Sequence, residues 1–402
     1  MTATVSSPRG ASHRRDVFIV SGEPSGDFLG GQLASALLRL DAGVMLRGVG
    51  AQRMRRAGVE LFLDSANWSV VGIGDALRKY IGLRRAFNAI VRELYRRPPA
   101  VLVLIDYGYF NSRLARVGRH IGLRIVYYFQ PRSWSRRPGS AAEIADVVDA
   151  IAAPFPWSVQ ALSRRRASVH WVGHPLLDVV PPPQGPRPAT GRPVVALVPG
   201  SRQQEIRHIL PAIAGAARLV SRALPGAGFV LTLSPGLSRL RIISMLRRHG
   251  VEATILDGVD YEAVGRAHAA IVTSGTATLE LALLGVPMVV VYRVGLVNWM
   301  QYAFTQVIGR RIRYIAMPNI LADSFIVPEL RQAQVNARAI AREALRLLTD
   351  PEKAERMRRE LLQAVRLLGS PGAAEAAARV VLSVMQGTPR PIAAVGPVSC
   401  AG

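Results

Sequence analysis

Residues 269–293 read AAIVTSGTATLELALLGVPMVVVYR, and this stretch decides the fold class. Two short apolar runs, 270–273 and 288–292, flank a segment with helical periodicity, which predicts a strand, a helix and a second strand. Strands that are apolar almost throughout and alternate with helices are typical of a parallel sheet covered on both faces. The stretch therefore predicts an α/β fold built on a parallel sheet.

The turn between that first strand and the helix carries polar groups suited to a ligand. Ser274, Gly275 and Thr276 would bring backbone N–H groups and two hydroxyls to a helix N-terminus, where the helix dipole favours an anion. Glu280, a few residues into the helix, is poorly placed for a phosphate but suits the hydroxyls of a ribose. The turn predicts a sugar-nucleotide site, and the alternative is an ordinary strand–turn–helix with a threonine cap.

The same alternation of strands and helices occurs twice in the 402-residue chain. The first half has predicted strands at 16–20, 45–48, 101–105, 124–129, 150–153 and 169–172. The second half has them at 194–197, 229–233, 253–256, 270–273 and 288–292. We expect two Rossmann-like domains that face each other across a cleft, with the active site outside the carboxyl ends of both sheets.

The proline-rich segment 181–188 separates the two halves and predicts a linker. We expect a flexible N-terminus (1–14), an N-terminal Rossmann-like domain (15–180), a linker (181–192), a C-terminal Rossmann-like domain (193–350), terminal helices (351–385) and a flexible tail (386–402).

Composition restricts the class of protein. Half of the residues are hydrophobic, but no apolar run reaches the roughly 18–20 residues that a membrane span needs. The single cysteine, Cys400, excludes intrachain disulfides and multi-cysteine metal sites, and residues 1–15 lack the apolar region of a secretory signal. We therefore expect a cytoplasmic protein.

The net charge of +24 and the pI near 11.4 favour an anionic partner. The basic residues are almost all arginines spread over several helices, without a zinc-finger, RNP or basic-zipper pattern. We expect no nucleic acid as the primary partner, whereas anionic lipid and a phosphorylated substrate fit the charge. The seven histidines form no metal-binding spacing, so no metal site is expected.

Three further loops follow predicted strands. Asp106 ends a buried strand, where partial desolvation favours a raised pKa and a role as general base; the alternative is a helix N-cap. Residues 198–205 bring Gly200 and Ser201 to the head of a helix beside Arg202, a cation suited to a diphosphate, unless Arg202 is only a solvated charge. Residues 21–27, in which Ser25 or Asp27 caps the next helix, lack the glycine spacing of NAD sites.

Together these loops resemble the lipid-A-disaccharide synthase family, inverting glycosyltransferases of GT-B architecture. The likeness runs from Asp16 to Leu368 and keeps six motifs in the family's order. The motifs are residues 21–27, 105–106 with 110–111, 172–178, 199–202 with Glu205, 274–277 with 279–280, and 317–322 with Glu329.

The resemblance implies a metal-independent transfer of 2,3-diacylglucosamine from its UDP derivative to the 6-hydroxyl of 2,3-diacylglucosamine 1-phosphate, without a cofactor. It implies that Asp106 is the catalytic carboxylate, that Arg202 and Ser201 bind the diphosphate, and that Glu280 binds the ribose. The other substrate- or nucleotide-binding residues that it implies are Ser25, Gly200, Ser274, Gly275, Thr276 and Asn319.

Three departures from the family pattern lie in the first, acceptor-binding half. Tyr109 stands where the family has a second aspartate, Arg136 where it has a second tryptophan, and Pro156 where it has a glutamate. They leave open a divergent glycosyltransferase that passes a UDP-linked sugar to another lipid or phosphorylated acceptor. A further alternative is a binding or membrane-surface protein without activity, which the retained Asp106 does not favour.

Residues 76–97 predict a basic amphipathic helix in this acceptor half. Such a helix would attach the protein peripherally to anionic lipid on the inner face of the cytoplasmic membrane; the alternative is an ordinary Rossmann helix with its arginines in water. The apolar members are Leu77, Ile81, Phe87, Ile90, Val91 and Leu94, and the basic members are Arg78, Lys79, Arg84, Arg85, Arg92, Arg96 and Arg97.

Overall fold

The computed structural model describes residues 15–66, 68, 76–129, 138–162, 165–183, 192–293 and 313–387, with the side chains at 76–80, 138–142 and 204 left undescribed. Contacts divide the chain into two compact units. The first unit ends at Asp178 and resumes at Leu368, and the second unit runs from Val179 to Leu367.

The described strands of the first unit form one parallel sheet in the order β3-β2-β1-β4-β5-β6-β7. The strands are β1 (Asp16–Ser21), β2 (Met45–Gly50), β3 (Glu60–Asp64), β4 (Val101–Ile105), β5 (Ile125–Tyr128), β6 (Ala150–Ala153) and β7 (Ser168–Trp171). The helices between them are α1 (Pro24–Leu40), α2 (Gln52–Arg56), α3 (Ala76–Arg96), α4 (Gly108–His120), α5 (Pro138–Val147) and α6 (Pro156–Leu162).

The described strands of the second unit form a second parallel sheet in the order β10-β9-β8-β11-β12-β13. The strands are β8 (Val194–Val198), β9 (Gly228–Leu233), β10 (Thr254–Asp257), β11 (Ala269–Thr273), β12 (Met288–Tyr292) and β13 (Glu329–Arg331). The helices are α7 (Gln203–Ala223), α8 (Arg239–Arg248), α9 (Tyr261–Gly265), α10 (Ala277–Leu283), α11 (Met317–Ala322), α12 (Ala337–Thr349) and α13 (Pro351–Val365).

The terminal helices, expected as one group over 351–385, are divided between the units. Helix α13 contacts α10 and α11 in the second unit. The last described helix, α14 (Ala373–Gln386), packs against α1, and Ala377 and Val381 join the core beneath the first sheet. Arg124 anchors this helix by donating a hydrogen bond to the Val384 carbonyl at 3.0 Å.

Strand β1 shows why these strands are apolar at every position. Val17 and Ile19 point into the core formed with α1 and α14, whereas Phe18 and Val20 point into the core formed with α3 and α4. All four side chains are fully buried. A parallel sheet with helices on both faces requires this double burial, which confirms the α/β prediction.

The apolar face of α3 belongs to its own domain. Ile90 and Leu94 are fully buried, so the expectation that these two side chains meet a lipid surface is wrong, and the partly buried Phe87 and Val91 pack against the same core. Within the described part of the chain, no helix is long and apolar enough to cross a membrane. Leu77, Arg78 and Lys79 lie outside the described side chains.

Candidate active site

Asp106 directly follows β4 and lies in a strained turn. Both Asp106 and Tyr107 have left-handed backbone conformations, with φ of 46° and 50°, which residues other than glycine rarely adopt. Asn111 Nδ2 donates hydrogen bonds to the carbonyls of Ile105 and Asp106, each at 3.0 Å, and Tyr127 Oη donates to the Asp106 carbonyl at 2.6 Å. Because Asn111 and Tyr127 are fully buried, these bonds fix the turn and orient the carboxyl of Asp106.

Gly22, in the loop after β1, makes room for this turn. A Cβ atom at Gly22 would lie 2.4 Å from Cδ1 of Tyr107. Only glycine therefore lets the loop approach the Tyr107 ring so closely, and this approach brings Glu23 into the neighbourhood of Asp106.

The pKa of Asp106 is raised from 3.8 to about 6, and burial is the largest cause. The negative charge of Glu23 contributes to this rise, and a hydrogen bond from the Tyr107 backbone offsets part of it. A carboxyl whose pKa lies close to neutral pH can accept a proton during a reaction and release it afterwards, as a general base must.

Replacing Glu23 with glutamine tests this electrostatic coupling. Removal of the neighbouring negative charge favours ionised Asp106, so the acid limb of the kcat/KM–pH profile should move from near pH 6 to lower pH. A pH–rate series on the wild type and Glu23→Gln measures the shift. An acid limb that stays in place, or moves to higher pH, would show that Glu23 does not set the pKa of the group that controls this limb.

A cavity of about 750 Å³ opens beside Asp106 within the first unit. Its lining includes the two carboxyls of Asp106 and Glu23, apolar side chains of α3 and α4, and two arginines. The size is in the range of small-molecule sites, and the perturbed Asp106 at its wall makes it the candidate active site of this unit.

In the second unit, Gly200, Ser201 and Arg202 lie at the head of α7 as expected. The backbone N–H groups of Ser201 and Arg202 both donate to Glu205 Oε2, at 3.0 Å and 3.2 Å. Glu205 thus caps the helix and already accepts the Ser201 N–H group that was expected to face a diphosphate. The Arg202 guanidinium lies 3.7 Å from Glu205 Oε1 and is 71% exposed.

The turn after β11 leaves a different set of donors available. The hydroxyl of Ser274 is already used within the protein, since its Oγ donates a hydrogen bond to the Ile315 carbonyl at 2.8 Å. Gly275 has open space beside it and Thr276 is exposed; within the described residues the backbone N–H groups of Gly275 and Thr276 have no acceptor.

Glu280 lies one helical turn further on. Its Oε1 accepts a hydrogen bond from Tyr261 Oη at 3.0 Å. Burial raises the pKa of Glu280, and the Tyr261 bond offsets part of that rise. A partly buried carboxylate with one oxygen engaged retains a second oxygen that can accept a hydrogen bond from a sugar hydroxyl.

Asn319, expected among the substrate- or nucleotide-binding residues, has its side-chain amide engaged inside the protein. It is fully buried, and its Nδ2 donates to the Val327 carbonyl and to Glu329, both at 2.9 Å. Its Oδ1 accepts the N–H groups of Ile326 and Val327, also at 2.9 Å. All four hydrogen-bonding positions of the amide are therefore used inside the protein.

Two acidic residues of the motifs organise loops. Asp27 accepts hydrogen bonds from the backbone N–H groups of Ala51, Arg53 and Met54, and so holds the start of α2. Ser25, in the first turn of α1, is exposed. In the second unit Glu329 accepts the N–H group of Ile315, whose carbonyl holds Ser274. No group of three potential metal ligands occurs in the described ranges.

Solved structures of GT-B glycosyltransferases and related epimerases share the fold of this chain. A putative UDP-N-acetylglucosamine 2-epimerase from Listeria monocytogenes matches with a TM-score of 0.61 and 14% identity, over 94% of this chain and 98% of that one. The S. aureus MnaA–UDP structure matches with a TM-score of 0.64 and 11% identity, over 94% of this chain and 99% of that one. The calicheamicin glycosyltransferase CalG4 matches with a TM-score of 0.57 and 18% identity, over 92% of this chain and 98% of that one.

Sequence relatives define the family within that fold. The family described as lipid-A-disaccharide synthetase matches residues 17–384. The lipid-A-disaccharide synthase of Geobacter sulfurreducens is 38% identical over 93% of this chain and 98% of its own length. The lipid-A-disaccharide synthase of Coxiella burnetii is 33% identical over 84% of this chain and 89% of its own length. The chain belongs to the lipid-A-disaccharide synthase family. It is a hexosyltransferase of lipid A biosynthesis that uses a UDP-sugar donor and a sugar phosphate acceptor.

Proposed function

We propose that the chain transfers 2,3-diacylglucosamine from its UDP derivative to the 6-hydroxyl of 2,3-diacylglucosamine 1-phosphate. The acceptor oxygen attacks the anomeric carbon, the bond from that carbon to the UDP oxygen breaks, and Asp106 takes the hydroxyl proton. The observation that carries this assignment is the Asp106 carboxyl, with a pKa of about 6, at the wall of a cavity large enough for a sugar. A single displacement of this kind inverts the anomeric configuration.

We assign the donor to the second unit. The departing UDP gains negative charge in the transition state, and the exposed Arg202 guanidinium is suited to bind its diphosphate together with the Ser201 hydroxyl. The N–H groups of Gly275 and Thr276, which have no acceptor in the described structure, add two donors. The ribose then pairs with Glu280.

Product analysis tests the reaction. Purified protein is incubated with UDP-2,3-diacylglucosamine and 2,3-diacylglucosamine 1-phosphate in detergent, and the products are examined by mass spectrometry. The proposal predicts one disaccharide 1-phosphate for each UDP released. UDP release without disaccharide would identify a hydrolase instead and refute the transfer.

We also propose peripheral attachment to the cytoplasmic face of the membrane through the outer side of α3. Ile81 and Tyr95 are 41% and 59% exposed, and the exposed Arg85 and Arg92 lie on the same helical side by their spacing. Each basic residue near an anionic surface contributes about 1 kcal/mol. This outer side of α3 lies opposite the side that carries Ile90 and Leu94, which packs in the core.

Flotation with phosphatidylglycerol vesicles tests the attachment. The wild type should float at low salt and dissociate at high salt, and Arg85→Gln/Arg92→Gln should float several-fold less because two charges are lost. Arg207→Gln/Arg222→Gln removes two exposed charges from α7 and is the matched control. The proposal is refuted if the wild type fails to float at low salt, or if both double variants float equally well.

A further inference from the structure

The cavity beside Asp106 has a chemically divided lining. Leu83, Phe87 and Phe110 contribute apolar surface, whereas Arg84 and Arg113 contribute two guanidinium groups. A cavity that joins apolar surface, cationic groups and a proton acceptor is suited to a ligand with an alkyl part, an anionic part and a free hydroxyl.

Arg113 is held at this wall by aromatic rings. Its guanidinium carbon lies 4.9 Å from the ring centroid of Phe87 and 5.8 Å from that of Tyr109, which is one turn earlier on α4. Phe87 in turn packs edge-on against Phe110 with the ring centroids 5.5 Å apart. The guanidinium is therefore oriented before a ligand arrives, which lowers the entropic cost of binding.

Neither arginine forms an ion pair with a described carboxylate. Within the described ranges, no carboxylate oxygen lies within 4 Å of Arg84 or Arg113. Arg116, one turn further along α4, differs from Arg113 because it forms an ion pair with Glu143 at 2.7 Å. Two guanidinium groups in the lining of one cavity, neither paired with a described carboxylate, favour an anion.

We propose that Arg84 and Arg113 bind the phosphate of the sugar acceptor and make the cavity selective for a phosphorylated acceptor. This inference rests on the proposed function. Guanidinium groups bind phosphate oxygens through paired, charge-assisted hydrogen bonds, and a phosphate held there leaves the sugar hydroxyl free to reach Asp106. Leu83 and Phe87 then cover acyl carbons of the same ligand.

Acceptor discrimination tests the inference. Initial rates are measured with 2,3-diacylglucosamine 1-phosphate and with the same sugar lacking its phosphate, each in detergent micelles. In Arg113→Gln and in Arg84→Gln, kcat/KM for the phosphorylated acceptor should fall about 10- to 100-fold, as expected for loss of a charged hydrogen bond. In both variants, kcat/KM for the unphosphorylated acceptor and KM for the donor should stay unchanged.

A matched control separates a specific site from general charge. Arg116→Gln removes an exposed charge from α4 outside the cavity and should keep the discrimination of the wild type. Unchanged discrimination in Arg113→Gln and Arg84→Gln overturns the inference. So does a result in which these two variants lose only vesicle flotation, because the arginines would then bind lipid headgroups.

Direct binding makes the inference independent of turnover. With Asp106→Asn, the affinity for the phosphorylated sugar should exceed that for the unphosphorylated sugar by at least 10-fold, and adding Arg113→Gln should remove the difference. If the wild type transfers sugar to neither acceptor, the proposed function fails, and this binding comparison still decides whether the phosphate site exists. Equal affinity for the two sugars would overturn the inference.

Discussion

Asp106→Asn should lower turnover by about 10²- to 10⁴-fold while UDP binding persists. The amide keeps the size and polarity of the carboxyl but does not accept the proton of the acceptor hydroxyl. The described residues of the cavity offer one other carboxyl, that of Glu23. Initial rates at saturating substrate, together with UDP titrations, separate loss of chemistry from loss of binding.

Stability supplies the control for Asp106→Asn. Because burial raises the pKa of Asp106 to about 6 in the folded protein, ionisation of this carboxyl destabilises the fold as the pH rises through that value. The neutral amide removes this penalty, so the variant should unfold at a temperature no lower than the wild type at pH 8. Wild-type turnover in a folded Asp106→Asn variant would show that Asp106 is not the base.

Arg202→Ala should reduce kcat/KM by about 10²-fold or more. The guanidinium is 71% exposed, so its removal should affect the departing diphosphate rather than the fold. In the proposed mechanism, charge stabilisation by this arginine takes the place of a divalent ion, and we therefore expect activity to survive EDTA. Arg207→Ala removes another exposed arginine of α7 and should have little effect.

Two results would contradict the role of Arg202. The first is loss of wild-type activity in EDTA that magnesium restores, since a metal would then bind the diphosphate. The second is equal thermal protection of Arg202→Ala and the wild type by UDP, because the variant would then bind the nucleotide without the guanidinium.

The central strands were predictable because they are buried on both faces. The predicted bounds of 101–105, 150–153 and 288–292 are those of β4, β6 and β12. Strands β3 and β13 were missed. Both are edge strands with alternating or partial exposure, and β13 spans only Glu329–Arg331, so neither carries a continuous apolar run.

The site was less predictable than the fold, because its chemistry depends on contacts between distant residues. The position of Asp106 after a strand was readable, but its hydrogen bond from Tyr127 and its coupling to Glu23 were not. Glu205, three residues after Arg202, is a capping-box signal that the sequence already contained. For Asn319, the sequence did not show that the side-chain amide holds the loop at Ile326 and Val327 by hydrogen bonds.

The configuration of the product tests the central claim most directly. A single displacement with Asp106 as base predicts a disaccharide joined through the acceptor's 6-hydroxyl, with the anomeric configuration opposite to that of the UDP-linked donor. Nuclear magnetic resonance of the purified product determines both the linkage and the anomeric configuration. A product that retains the donor's configuration, or that is joined through another hydroxyl, would contradict the mechanism proposed for this cavity.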